Sequence, residues 1–275
     1  MSDRTLQDFV ALVRRRTGIV IADDKTYLVE ARLAPFAQTG GFAGVGPMLA
    51  AVMSGRDPGL LDLCVEAMTT NETLFFRDTT PFTTLAEQLV RHAAHPRRER
   101  FRIWSAACST GQEPYSIAMV VDEVRERHPE LAVEIVASDL SNRCILKAQA
   151  GVFSQFEVQR GVSMKRLVRY FEGGGGRWTI NEGLKADIVW KTLNLADPFA
   201  FLGTFDAIFC RNVLFYFEPD RRRDILERLS RQMAADGRLF LGASETVLGL
   251  SDRFEGPSGV SGLRRTADPA PVRSA

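Results

Sequence analysis

The sequence predicts an α/β fold: a mostly parallel sheet covered by helices on both faces, preceded by a small all-helical unit. Two observations carry this. From Phe101 onward, apolar strand-like runs alternate with helical patterns, the mark of repeated βα units. Before Phe101 only helical periodicities occur. A third feature, the irregular stretch between Gly151 and Leu195, predicts a small antiparallel insertion into the sheet domain.

Leu6, Phe9, Val10 and Val13 recur at i, i+3, i+4 and i+7 and predict a helix ending near Gly18. A second helix runs from about Lys25 through Tyr27, Leu28, Ala31 and Ala34 to Pro35, and a third from Leu60 through Cys64 and Val65 to Met68. Gly40 to Pro47 reads as a loop by its breakers. Thr79 and Thr80 before Pro81 open a helix with Phe82, Leu85, Ala86, Leu89, Val90 and Ala93 on its apolar face, ending before Pro96. These signals place the helical domain at 1–80 and a linking helix at 81–98. The Arg14-Arg15-Arg16 cluster reads as a solvated helix face, and the basic run from Arg97 to Arg102 as a solvated linker.

The third domain spans 99–266. A strand over 101–107 leads through the small residues Ser105 to Gly111 into a helix over 113–128. Val133 to Ala137 forms a strand ending at Ser138-Asp139, and Ser141 caps a helix that stops at Gly151. A helix at 163–171, a turn at Gly173 to Gly176 and a strand at Arg177 to Ile180 make the insertion, about 163–187. Ile188 to Lys191 then returns to the main sheet and ends at Asn194. Phe205 to Cys210 is a strand, Pro219 opens a helix with Ile225, Leu226, Leu229 and Met233 on one face, and Arg238 to Gly242 is the last strand. The Pro/Ala-rich tail over 267–275 is expected to be disordered.

Bulk properties exclude several classes. A chain of 275 residues with 45% hydrophobic and 25% charged residues can bury the cores of one large or two ordinary domains. A net charge of +1 gives no global reason for nucleic-acid binding. The four cysteines are scattered, form no C-x-x-C pair, and predict reduced buried thiols rather than disulfides or a metal site. No run approaches the roughly 18 apolar residues of a membrane span, and no leader is visible, so a cytoplasmic location is expected.

The polar residues that follow the strands all project to one rim of a parallel sheet: Ser105 to Gly111, Asp139, Asn194, and Arg211-Asn212. The first turn has the form of a nucleotide cradle, and an acid after the second strand is placed to accept from both ribose hydroxyls. Asn194 serves equally as an Asx-turn residue, and Arg211 equally as an ion-pair partner.

Four ordered strings carry a closer resemblance: N-E-T-L-F-F-R from Asn71 to Arg77, S-A-A-C-S-T-G-Q-E-P-Y-S from Ser105, A-S-D-L from Ala137, and C-R-N-V-L-F-Y-F from Cys210. Together they resemble the chemotaxis receptor glutamate methyltransferases, the CheR family, over a span from the N-terminal helices to about Arg264. The resemblance implies a Rossmann-like class I methyltransferase domain with a small β-subdomain insertion, preceded by an all-helical N-terminal domain. It implies S-adenosylmethionine as cofactor, with S-adenosylhomocysteine as product, and no metal. The departures are Gln112, where the family commonly has an acid, and a short glycine-rich loop in the β-subdomain.

Carried over by motif, the cofactor contacts implied are Asn71, Thr73, Arg77, Ala107, Gly111, Glu113, Asp139, Asn194, Leu195, Arg211 and Asn212. Asp139 is expected at the ribose, Asn194 and Leu195 at the adenine, and Glu113 with its turn toward the methionine moiety. Arg77 and Tyr216 are the implied catalytic residues, facing the methyl group and the incoming carboxylate. The implied activity is methyl esterification of receptor glutamates in sensory adaptation. The implied partner is the cytoplasmic domain of methyl-accepting receptors, met by a monomer with neither nucleic acid nor membrane insertion. The alternatives are a regulatory module binding the cofactor or its product, and a methyltransferase of another protein or small-molecule carboxylate. A nicotinamide dehydrogenase would show the glycine fingerprint, and a nucleic-acid amino-methyltransferase a D/N-P-P-Y/F string; neither occurs.

Overall fold

The structure is a computed structural model that describes residues 3–95, 100–256 and 259–266. Arg97, Arg98 and the tail over 267–275 therefore lie outside the described residues. The chain divides into two compact units: a helical one, running to Glu72 and rejoined by Phe215–Arg221, and a sheet unit made of the rest.

The helical unit contains α1 (Asp3–Thr17), α2 (Tyr27–Thr39), α3 (Val45–Met53) and α4 (Pro58–Ala67). Phe9, Val13, Val29, Leu33, Met48, Leu49, Val52 and Cys64 close its core. Two expectations fail here. Gly40 to Pro47 is not all loop, because Pro47 stands in the first turn of α3, where its missing N–H has no helical partner to lose. Pro35 does not end α2, whose buried stripe of Val29, Leu33 and Ala37 continues past it. The returning segment is tied in by the Val20 N–H, which donates to the Tyr216 carbonyl at 2.8 Å, and by an Arg14–Glu218 ion pair at 3.0 Å.

The compact units part at Glu72, and the helix expected at 81–98 is α5 (Thr79–Ala93), a part of the sheet unit. The physical reason is aromatic. Phe75 packs edge-on to Phe153 at 4.9 Å and Phe171 at 5.6 Å, and Phe82 lies 5.9 Å from Phe209.

The main sheet follows in order: β1 (Phe101–Ala106), α6 (Gln112–Arg125), β2 (Val133–Asp139) and α7 (Asn142–Ala150), the last capped by Ser141 and closed by Gly151 as expected. The insertion contains β3 (Val152–Ser154), α8 (Gln155–Gln159), α9 (Met164–Tyr170), β4 (Phe171–Gly174), β5 (Arg177–Ile180) and α10 (Glu182–Lys185). Its antiparallel sheet has the order β3-β5-β4, so it begins at Val152, earlier than about 163. The chain then returns through β6 (Ile188–Thr192), β7 (Phe205–Cys210), α11 (Pro219–Arg231) and β8 (Met233–Phe240). Two short strands, β9 (Phe254–Glu255) and β10 (Arg264–Arg265), pair with each other near the end.

The five-stranded sheet has the order β6-β2-β1-β7-β8 and every pairing is parallel. Strand order therefore reverses between β1 and β7, and the crevice beyond their carboxyl ends is where an open α/β sheet takes its ligand. Helix α6 is buried on nearly every side from Gln112 to Val121, so the turn feeding it is held rigidly against the sheet.

Candidate functional site

The turn after β1 is strained in a particular way. Ala107 has φ 62°, Ser109 51° and Gly111 97°. Two bonds to β2 hold it: the Cys108 N–H donates to the Ser138 carbonyl and the Ser109 N–H to Asp139 Oδ2, both at 2.8 Å. The second Asp139 oxygen accepts from the Ser141 N–H at 2.9 Å. Asp139, expected at the ribose, thus also fixes the turn. Gly111 is small for a packing reason as well, since a Cβ there would meet the Ala148 Cβ at 2.8 Å.

Phe76, Asp78, Ala107, Ser109 and Asn212 are the non-glycine residues with left-handed φ among the described residues. All five fall in the three turns that carry the sequence strings. Such backbone costs about 1 kcal/mol or more per residue and persists only where surrounding bonds impose it.

At the 76–78 turn the bonds come from Arg211, whose side chain is 2% exposed. Its Nη1 donates to Glu113 Oε2 at 3.0 Å, and its Nη2 donates to the Arg77 carbonyl at 2.7 Å and to Asp78 Oδ2 at 2.6 Å. Glu113 accepts a further bond, on Oε1, from the Ser105 hydroxyl at 2.8 Å. The Phe76 N–H donates to Ser116 Oγ on α6 at 2.9 Å, which pins the same string from its other side. The ion-pair alternative for Arg211 is thereby realised. In contrast, the half-buried Arg77 guanidinium makes no hydrogen bond or ion pair among the described residues.

Carboxylates face both cysteines at the strand ends. Burial first, then the Asp139 and Glu113 carboxylates, hold the Cys108 thiol well above its usual range. Burial first, then Glu245 and Glu113, do the same to Cys210. Both thiols are held in the neutral form.

Asn194 Oδ1 accepts from the Ala196 N–H at 2.9 Å, the Asx turn weighed as its alternative, and Leu195 beside it is buried with its carbonyl held by Arg228 Nη2 at 2.9 Å. Thr73 is half-buried ahead of the aromatic pair. Asn71 and Tyr216 belong to the helical unit. There Asn71 Oδ1 accepts from the Thr69 hydroxyl at 3.0 Å, and Arg32 holds the preceding backbone through the Met68 and Thr69 carbonyls. The departure at Gln112 has a local reason, because its amide donates to Glu157 Oε1 at 3.4 Å and an acid would face another acid.

Sequence reasoning missed Ser105 as a partner of Glu113, Asp78 as a partner of Arg211, and Glu245. Glu245 lies three residues beyond Gly242, where the last strand was expected to end, and nothing in its spacing marks its partners.

A family model described as the CheR methyltransferase SAM-binding domain matches residues 71–260, and one described as the CheR methyltransferase all-alpha domain matches residues 4–69. The chain is 42% identical over 258 residues to a chemotaxis protein methyltransferase of Vibrio parahaemolyticus, covering 93% of this chain and 94% of that one. It is 41% identical over 252 residues to chemotaxis protein methyltransferase 1 of Pseudomonas aeruginosa, covering 90% and 92%. With the chemotaxis protein methyltransferase of Escherichia coli it shares 34% identity over 259 residues, covering 92% and 88%.

Proposed function

The chain belongs to the CheR methyltransferase family, and on that premise we propose that it esterifies glutamate side chains on the cytoplasmic domain of chemotaxis receptors, working in the cytoplasm. Its reaction is S-adenosylmethionine-dependent methylation in chemotaxis. The residues present fit that cofactor. Among the described residues Glu113 uses two of its roughly four acceptor positions, on Ser105 and Arg211, which leaves acceptors for an ammonium. Asp139 would take the ribose, Asn194 and Leu195 the adenine, and Glu113 the methionine ammonium. Thr73, Ala107, Gly111 and Asn212 would complete the cradle, and Asn71 is proposed as a further cofactor contact.

When bound, S-adenosylmethionine supplies an electrophilic methyl group on a positively charged sulfur. A glutamate carboxylate has an ordinary pKa of about 4.3, so near neutrality it arrives already ionised and needs no base. The protein's work is then to orient and desolvate, which can lower a barrier by several kcal/mol. Arg77 orients the incoming carboxylate by charge-assisted hydrogen bonds, and Tyr216 is the second residue proposed for catalysis.

The observation that carries this reading is the contrast between the two guanidiniums. Arg211 is engaged by Glu113 and Asp78, while the Arg77 guanidinium has no hydrogen bond or ion pair among the described residues and is available to an anion. An acceptor that is itself a carboxylate matches it. The test is transfer of labelled methyl from S-adenosylmethionine to membranes carrying chemoreceptors. Label released as methanol by mild base is expected. Label found instead on DNA or on a small metabolite would overturn the assignment.

A further inference from the structure

We infer that Glu245 is a positioning residue for cofactor binding, acting through Asn212; this rests on the reading that Asn212 contacts the cofactor. After β8 the chain turns back at once, the Glu245 N–H donating to the Gly242 carbonyl at 3.0 Å. This carries the Glu245 carboxylate across to the end of the neighbouring parallel strand β7. There Oε2 accepts from the backbone N–H groups of Asn212 and Gly242, both at 2.7 Å, and Oε1 from those of Val213 at 2.9 Å and Leu214 at 2.8 Å.

Four convergent N–H groups form a nest of the kind that binds anions, and here a side chain of the same unit fills it. Without Glu245 these donors would be left over at a strand end with few alternatives. The nest also has a conformational role. Asn212 has φ 57°, a left-handed backbone that no glycine eases, and its own N–H is one of the four held. Close packing reinforces the hold, for a Cβ at Gly242 would come within 2.5 Å of Asn212 Nδ2 and 2.9 Å of Glu245 Oε2. The carboxylate therefore sets where the Asn212 amide points.

Glu245→Gln tests this, because its amide nitrogen faces two N–H donors in place of an acceptor. Calorimetry with S-adenosylhomocysteine should show affinity reduced on the order of ten- to a hundredfold, the range for charge-assisted hydrogen bonds. The KM for receptor should stay unchanged, which a general loss of structure would not produce. Asn212→Ala should weaken binding similarly, and the double variant should be no worse than the weaker single one. Additive losses, or wild-type affinity in Glu245→Gln beside a weakened Asn212→Ala, would overturn the positioning role. Wild-type affinity in Asn212→Ala would instead remove Asn212 from the cofactor site, and the proposal with it. Should Glu245→Gln fail to fold, Gly242→Ala pushes the same pair apart with the carboxylate intact. Weakened binding is expected of it, and unchanged binding in the folded variant would be contrary.

Discussion

Arg211 does at the residue scale what a larger protein would assign to several groups. One buried guanidinium joins Glu113 on α6 to the 77–78 turn, so the cradle and the string bearing Arg77 form one network. Arg211→Ala leaves two carboxylates behind, and breaking a buried pair costs about 3–5 kcal/mol. Chemical denaturation should show a loss of that size. Arg211→Lys should recover only part of it, since an ammonium lacks the fork that reaches both partners. Asp139→Ala removes the proposed ribose acceptor together with the bonds from Ser109 and Ser141. Its affinity for S-adenosylhomocysteine should fall on the order of a hundredfold, and wild-type affinity would withdraw the ribose role. Asp139 and Arg211 were legible as rim residues because strand ends are easy to place. Asp78 and Glu245 were not, because their partners lie 133 and 33 residues away, and Ser105 was not, because the turn between it and Glu113 follows no fixed period.

At the scale of elements, the hydrophobic periods marked most of the helices and all five strands of the main sheet, since each buries one face or both. The failures follow from local rules overridden by burial. Proline was read as a stop at Pro35 and as loop at Pro47, yet one sits within a helix and the other opens one. Strand β3 is three residues long, too short to show a period, and is fixed by pairing with β5. The helical unit carries a pH signature of its own. Burial raises the Cys64 thiol from an ordinary 9.0 to about 11. Below pH 9 folded and unfolded chains both hold the proton; above it the unfolded chain releases it first, so stability falls until about pH 11. Thermal unfolding of wild type and Cys64→Ala across pH 7 to pH 10 should show the shallower decline in the variant. Parallel declines would mean that Cys64 contributes nothing to it.

At the scale of the whole molecule, the family's two models tile the chain with a break between 69 and 71, while the compact units part at Glu72 and the helical one reclaims Phe215–Arg221. That reclaimed segment holds Tyr216. A linear reading of domains cannot reveal it, because the segment lies between β7 and the part of α11 from Arg222 onward, both in the sheet unit. No helix among the described residues is long and apolar enough to cross a membrane.

The central proposal is that Arg77, without a hydrogen bond or ion pair among the described residues, receives the carboxylate acceptor. Its most direct test is the Arg77→Ala variant in the receptor methylation assay, run beside calorimetry with S-adenosylhomocysteine. Base-labile methylation should fall on the order of a hundredfold or more, the loss of a charge-assisted pair, while cofactor affinity stays within about an order of magnitude. Turnover at the wild-type rate in that variant would contradict the account.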